Sequence, residues 1–257
     1  MPDNSDSTQY LTQKLFGKKA QEYSNSSLLV NKGNLDLILE IAMISRTDRV
    51  LDVATGTGFL AEAIADTGAE VIATDFALSM LEKTRELLTG RSNTVLALAD
   101  ADNQPFMGNS FDVVACRVAV HHFANPQIAF HEIARVCKPG GRVVIMDVVS
   151  AEDKEKSELH NKMAKLRDPS EYRQWRRSEL KEMLKTSGLT ISNVDLWPHQ
   201  MAFDEWIRLG GADDNTAVTI RGMMIDSMDG DKADLNPEIK DGELYFTWNT
   251  AVIVANK

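Results

Sequence analysis

The stretch Val50-Leu51-Asp52-Val53-Ala54-Thr55-Gly56-Thr57-Gly58-Phe59-Leu60-Ala61 constrains the fold more than any other part of the chain. An apolar, β-branched run enters a turn that carries two glycines, and helical spacing begins immediately after it. A strand, a tight turn and a helix joined in this way let backbone atoms approach a ligand closely at the carboxyl end of the strand. The same rhythm continues downstream. Short apolar runs recur at Glu70–Asp75, Thr94–Ala99, Phe111–Cys116 and Arg142–Asp147, each continuous rather than alternating, as strands covered on both faces require. Between them lie segments of helical spacing (Leu60, Ile64 and Ala65; Leu78, Leu81 and Leu88; Ala129, Ile133, Val136 and Cys137) closed by Thr67-Gly68, Thr89-Gly90 and Lys138-Pro139-Gly140-Gly141.

Past residue 150 the rhythm loosens. A charged stretch from Ala151 to Arg167 precedes Asp168-Pro169, a helix is expected near Ser178 to Thr186, and two further strands are expected at Leu189–Trp197 and Leu244–Ala255. The predicted fold is α/β: a doubly wound, mostly parallel seven-stranded sheet with a helical lid. The 257 residues suit one domain, divided into an N-terminal helical segment (1–45), a cofactor-binding core (46–150) and a final part (151–257) whose insertion, about 199–242, folds over one end of the sheet. The polar opening residues read as a flexible start.

Three acids fall at the carboxyl ends of successive strands: Asp52, Asp75 and Asp100. A carboxylate at Asp75 can accept two hydrogen bonds from a ribose diol, and Asp also suits the N-cap of the Leu78 helix. Asp100 can receive an exocyclic amine or simply begin a solvated loop. The spacing Gly56-x-Gly58-x-x-Ala61 with a later acid also meets the relaxed dinucleotide fingerprint, so a nicotinamide-dependent oxidoreductase is one reading of these residues. Charge narrows the partners. With 28 Lys and Arg against 38 Asp and Glu, the formal charge is −10, which opposes nonspecific binding to nucleic acid or to anionic membranes. No run of 18 apolar residues and no secretory signal pattern is present, so no stable membrane insertion and a cytoplasmic setting are expected. The two cysteines, Cys116 and Cys137, stand in unrelated contexts, and no metal site is expected.

These motifs together resemble the large family of Class I S-adenosylmethionine-dependent methyltransferases, and most of all its small-molecule, type 11 branch, which includes quinone-ring C-methyltransferases. The resemblance spans roughly Phe16 to Ala151. It rests on Leu51-Asp52-Val53-Ala54-Thr55-Gly56-Thr57-Gly58, on Ala73-Thr74-Asp75-Phe76, on Ala99-Asp100-Ala101-Asp102-Asn103-Gln104-Pro105-Phe106 before Ser110-Phe111-Asp112-Val113-Val114, and on Phe130-His131-Glu132-Ile133-Ala134-Arg135-Val136-Cys137-Lys138-Pro139-Gly140-Gly141. It implies that S-adenosyl-L-methionine is the cofactor, leaving as S-adenosyl-L-homocysteine. Gly56 and Gly58 would then line its methionine portion, with Thr55 in the same loop and Asp52 shaping that loop or meeting the amino group. Asp75 would hold the ribose hydroxyls beside Phe76 and Met80, Asp100 and Ala101 would meet the adenine, Arg117 would sit beside the cofactor, and Tyr23 would close over it. The chain departs from the pattern at Ala54, where many members have glycine. It departs again at Arg117-Val118-Ala119-Val120-His121-His122-Phe123, which is unlike the Arg-Asn-rich segment of the quinone enzymes and argues against a quinone acceptor.

Methyl transfer from a sulfonium needs alignment and exclusion of water, and needs a base only when the nucleophile must lose a proton. His121 and His122 follow the fourth strand, and imidazole suits proton transfer near neutrality. His122 stands ahead because it shares helical spacing with Val118; packing and capping are the structural alternatives. Trp197, Phe203, Trp206, Met223, Met224 and Met228 would either form an adaptable lid over a hydrophobic or aromatic small-molecule substrate or make the insertion's own core. A homodimer is compatible with the sequence, as is a catalytically silent cofactor-binding protein of the same fold.

Overall fold

The computed structural model describes residues 26–257. Tyr23, expected to close over the cofactor, lies outside the described residues, as does most of the expected N-terminal helical segment. The sheet grows outward from β1 (Arg49–Val53). On one side β1 pairs in parallel with β2 (Glu70–Asp75), which pairs with β3 (Thr94–Leu98). On the other side it pairs in parallel with β4 (Phe111–Arg117), which pairs with β5 (Cys137–Val148). Two late strands complete the sheet: β8 (Glu243–Asn256) runs antiparallel to β5, and β6 (Thr190–Ala202) antiparallel to β8. The order is therefore β3-β2-β1-β4-β5-β8-β6. A three-residue strand, β7 (Glu238–Lys240), pairs with the start of β8 and brings the sheet to eight. The sheet is mostly parallel and doubly wound, as expected. The chain reverses its direction of winding between β1 and β4, the place where ligands bind in such sheets.

Side chains along the central strands divide by parity between two helical layers. Val50, Val71, Val113, Ala115, Val144 and Met146 face α1 (Lys32–Ile41) and α2 (Phe59–Asp66). Leu51, Val53, Val114, Cys116, Val143 and Ile145 face α4 (Pro126–Val136) and α6 (Arg177–Thr186). Burial on both faces explains why these strands read as unbroken apolar runs. β3 departs from that rule, because it is the sheet's edge and leaves Val95 53% exposed.

A third cluster joins α5 (Lys154–Arg167), α7 (Phe203–Gly210) and α8 (Asp214–Asp226) to the outer ends of β6 and β8. Met163, Phe203, Trp206, Met224, Phe246 and Trp248 form its centre. Among the aromatic and methionine residues expected in a lid, Phe203, Trp206 and Met224 are buried in this cluster. The remaining helix of the sheet, α3 (Leu78–Leu87), follows β2 and packs Met80 against Ala77 and Phe76. Among the described residues, no helix is long and apolar enough to cross a membrane and no group of three or more His, Cys, Asp or Glu side chains could hold a metal ion.

Candidate active site

A cavity of about 560 Å³ opens at the carboxyl ends of β1 to β4, within the usual size of ligand pockets. Its walls include the expected residues Asp52, Thr55, Gly56, Asp75, Phe76, Met80, Asp100, Ala101, Arg117, His121 and His122. The turn after β1 explains how they meet. Ala54 and Gly56 both take left-handed backbone, with φ of 55° and 58°, so the chain folds back and sends the Gly56 amide toward β2. That amide donates to Asp75 Oδ2 at 2.9 Å, while the Ala77 amide donates to Asp75 Oδ1 at 2.9 Å. Asp75 thus braces the glycine turn and the start of α3 while it faces the cavity.

Gly58 is not among the wall residues. It begins α2 with φ of 92°, and a Cβ there would come within 2.7 Å of Thr84 Cγ2. Its glycine is needed for the close approach of α2 to α3, an approach the Thr84 hydroxyl secures by donating to the Gly56 carbonyl at 2.7 Å.

Burial controls the charge of the acidic wall. Desolvation pushes the Asp52 carboxyl up to about 7, against the opposing hydrogen bond from the Thr55 hydroxyl at 2.6 Å and the nearby Arg117 charge. Desolvation likewise raises Asp75 to about 6, although it accepts backbone amides. Arg117 is brought down to about 10 by burial. Its Nη2 donates to the carbonyls of Leu28 at 2.9 Å and Leu29 at 3.0 Å, and so ties the incoming chain to the cavity rim.

The far wall is built by the segment after β4. Val118 has φ of 53°, a costly conformation for a β-branched residue, and only Val120–His122 forms one turn of 3-10 helix. The helical spacing that ranked His122 ahead therefore does not exist. Both histidine rings reach the cavity, with centroids 4.2 Å apart. His121 is backed by Asp147 at the end of β5: the ring Nδ1–H donates to Asp147 Oδ1 at 2.7 Å, and the His121 amide donates to Oδ2 at 3.0 Å. Burial acts to lower the His121 pKa, but the charge and hydrogen bond of Asp147 outweigh it and hold it above the ordinary value. His122 goes the other way, down to about 4, through burial and the adjacent His121, while its Nδ1 lies 3.2 Å from the Ser170 carbonyl.

Several wall residues were not legible in the sequence. Arg167, Leu209 and Trp248 line this end of the cavity, and none belongs to the motif set. Arg167 ends the charged stretch that begins at Ala151. Its spacing to Glu171, an i,i+4 ion-pair pattern, was the one available signal.

A doubly wound sheet with its ligand cavity at the switch between β1 and β4, walled by strand-end acids and a glycine turn, defines the class of Rossmann-like methyltransferases. The methyltransferase domain family matches residues 51–145. The chain is 32% identical over 198 residues to the uncharacterised methyltransferase YcgJ of Bacillus subtilis, covering 76% of this chain and 78% of that protein. It is 30% identical over 206 residues to demethylmenaquinone methyltransferase of Clavibacter sepedonicus, covering 77% and 80% of the two chains. The crystal structure of YcgJ superposes with a TM-score of 0.82 at 28% identity, over 87% of this chain and 97% of that one. Phosphoethanolamine N-methyltransferase 2 of Haemonchus contortus, solved with S-adenosyl-L-methionine, shares the fold at a TM-score of 0.58 and 20% identity, over 88% of this chain and 52% of that one. The chain belongs to this methyltransferase family. These matches favour methyl transfer over the nicotinamide alternative.

Proposed function

We propose that the protein transfers a methyl group from S-adenosyl-L-methionine to a small organic acceptor that must give up a proton, with His121 as the proton acceptor and Asp147 as its positioning residue. The observation that carries this reading is one cavity with two chemically distinct ends: strand-end acids at one, an Asp147-backed imidazole at the other. The donor set fits the cofactor. Asp75 and Asp100 offer carboxylate oxygens to hydroxyl and amino groups, Asp52 offers a carboxylate to a cationic group, and an acidic wall suits a ligand that carries no phosphate.

When bound, S-adenosyl-L-methionine supplies an electrophilic methyl on a cationic sulfur. The protein's own contribution begins with Asp147, which keeps the proton of His121 on Nδ1 and leaves Nε2 as the basic nitrogen. Nε2 takes the acceptor's proton as the acceptor's electron pair forms the new bond to the methyl carbon. The cofactor, held by Asp52, Asp75 and Asp100, would supply the methyl, and its sulfur would keep the electron pair of the sulfur–carbon bond. Leu28, Leu29, Val118 and Trp248 exclude water from this step.

Calorimetry with S-adenosyl-L-homocysteine and with NAD tests the cofactor, and binding of NAD alone overturns the reading. The base is tested by the pH profile. His121 must be neutral to accept a proton, so turnover rises with pH through its pKa. Asp147→Asn removes the charge that holds that pKa up, and the acid limb should move to lower pH while turnover falls about 10²-fold or more. An unmoved acid limb removes His121 from the role.

A further inference from the structure

Resting on the methyl-transfer reading above, we infer that Arg167 binds the acceptor, through a hydrogen-bond-accepting oxygen, carbonyl or carboxylate, that adjoins the acceptor's protic group. The guanidinium closes the cavity at the end of α5 and is only 4% exposed. It lies against a pair of edge-packed indoles, with its central carbon 5.0 Å from the Trp206 ring and 5.4 Å from the Trp248 ring. Its Nη2 donates to Glu171 Oε1 and stands 3.7 Å from Asp168 Oδ2. All the polar contacts of the side chain run through Nη2, and the buried Nε–H has no partner among the described residues. A guanidinium carries five N–H donors in a rigid fork, and an oxygen-bearing ligand in the cavity would satisfy donors of the fork that Glu171 does not engage.

The surroundings prevent that fork from turning away. Glu171 is held by Gln174, whose Nε2 donates to Oε2 at 2.9 Å, and Gln174 Oε1 in turn accepts from Trp248 Nε1 at 3.1 Å. The backbone of Gly210 packs against the aliphatic stem of Arg167, where a Cβ would collide with it. The guanidinium is therefore held in place before any ligand arrives, by Glu171 and by its contact with the two indoles. Leu28, Leu29, Val118, Leu209 and Trp248 supply an apolar wall around it, suited to a flat ring. His121 belongs to the same end of the cavity. One group thus holds the neighbouring oxygen while another takes the proton.

Isothermal calorimetry on the full chain saturated with S-adenosyl-L-homocysteine tests the assignment, with salicylate, 2-hydroxyacetophenone and phenol as probes. Salicylate tests a carboxylate oxygen, 2-hydroxyacetophenone a carbonyl oxygen, and phenol lacks either. The expected result is that at least one of the first two binds about tenfold or more tightly than phenol. In the double variant Arg167→Met/Glu171→Gln, which removes the guanidinium together with the carboxylate it donates to, that preference should vanish while the affinities for phenol and for S-adenosyl-L-homocysteine stay within about threefold. If the double variant fails to bind S-adenosyl-L-homocysteine, Arg167→Lys is read in its place, since it keeps the charge and loses the planar fork. The inference is overturned if wild type binds all three probes alike, if it binds none of them while holding S-adenosyl-L-homocysteine, or if the preference survives substitution of Arg167. Failure of wild type to bind S-adenosyl-L-homocysteine overturns the methyl-transfer reading itself.

Discussion

Asp52 and Asp75 are carboxyls whose burial sets a pH dependence. Each is raised, to about 7 and about 6, chiefly by desolvation. Hydrogen-bond donors and a cationic group from a cofactor favour the ionised forms, so binding releases protons wherever the free protein holds them. Affinity for S-adenosyl-L-methionine should therefore weaken as pH falls from 8 to 5.5, by up to about tenfold per pH unit per group below its pKa. Calorimetry in buffers of differing ionisation enthalpy should find proton release near pH 6 to 7, and a flat affinity across that range contradicts the assignment. The same burial has a cost in stability. A carboxyl with a raised pKa stabilises the fold only while it is protonated, and that contribution is lost as pH rises through about 7. Asp52→Asn should accordingly raise the thermal midpoint, more at pH 8 than at pH 5, by a few degrees, while weakening cofactor binding. Scanning calorimetry at the two pH values decides it; a gain no larger at pH 8 removes the desolvation argument.

Among the elements, α2 and α3 show how one glycine serves packing rather than ligand contact. Gly58 lets α2 begin in left-handed backbone directly against Thr84 of α3, and Thr84 fastens the glycine turn through the Gly56 carbonyl. Gly58→Ala should cost about 2–3 kcal/mol, part for the left-handed conformation and part for overpacking against Thr84. Denaturant unfolding measures it, and a loss under about 0.5 kcal/mol shows that α3 yields easily. The β8 strand carries a different lesson. Its first half, Leu244 to Trp248, alternates in burial, because α5, α7 and α8 cover one face there; Thr250 to Ala255 are buried between helical layers. The change of pattern along one strand marks where the insertion ends its cover.

For the whole molecule, the cavity is assembled from segments far apart in the chain. Leu28, Asp52, Asp75, Asp100, Arg117, Arg167 and Trp248 all meet there. A ligand that bridges them should stabilise the fold by mass action. At a hundredfold excess over its dissociation constant, S-adenosyl-L-homocysteine should add about 2.7 kcal/mol, a rise of roughly 5–10 °C in thermal midpoint. NAD should add none. Equal shifts from both ligands, read by thermal unfolding, count against selective recognition.

The central strands and their helices were legible in the sequence because continuous apolar runs and helical spacing are local patterns, and local patterns follow from which faces a strand or helix must bury. The glycine turn and the three acids were legible for a related reason, since the ends of successive parallel strands share one edge of the sheet. The acceptor end was not. Asp147 behind His121, and Arg167 against Trp206 and Trp248, depend on contacts across 26 and about 40 to 80 residues, and no local pattern records them. The helical spacing from Val118 to His122 is absent for the same reason: the turn at Val118 takes its left-handed form where its amide meets the Met146 carbonyl of β5, a long-range hydrogen bond. Sequence alone determined the sheet and the edge at which the cavity opens. Only tertiary packing decided which charged groups lose their water there, and that loss of solvation gives them their chemistry.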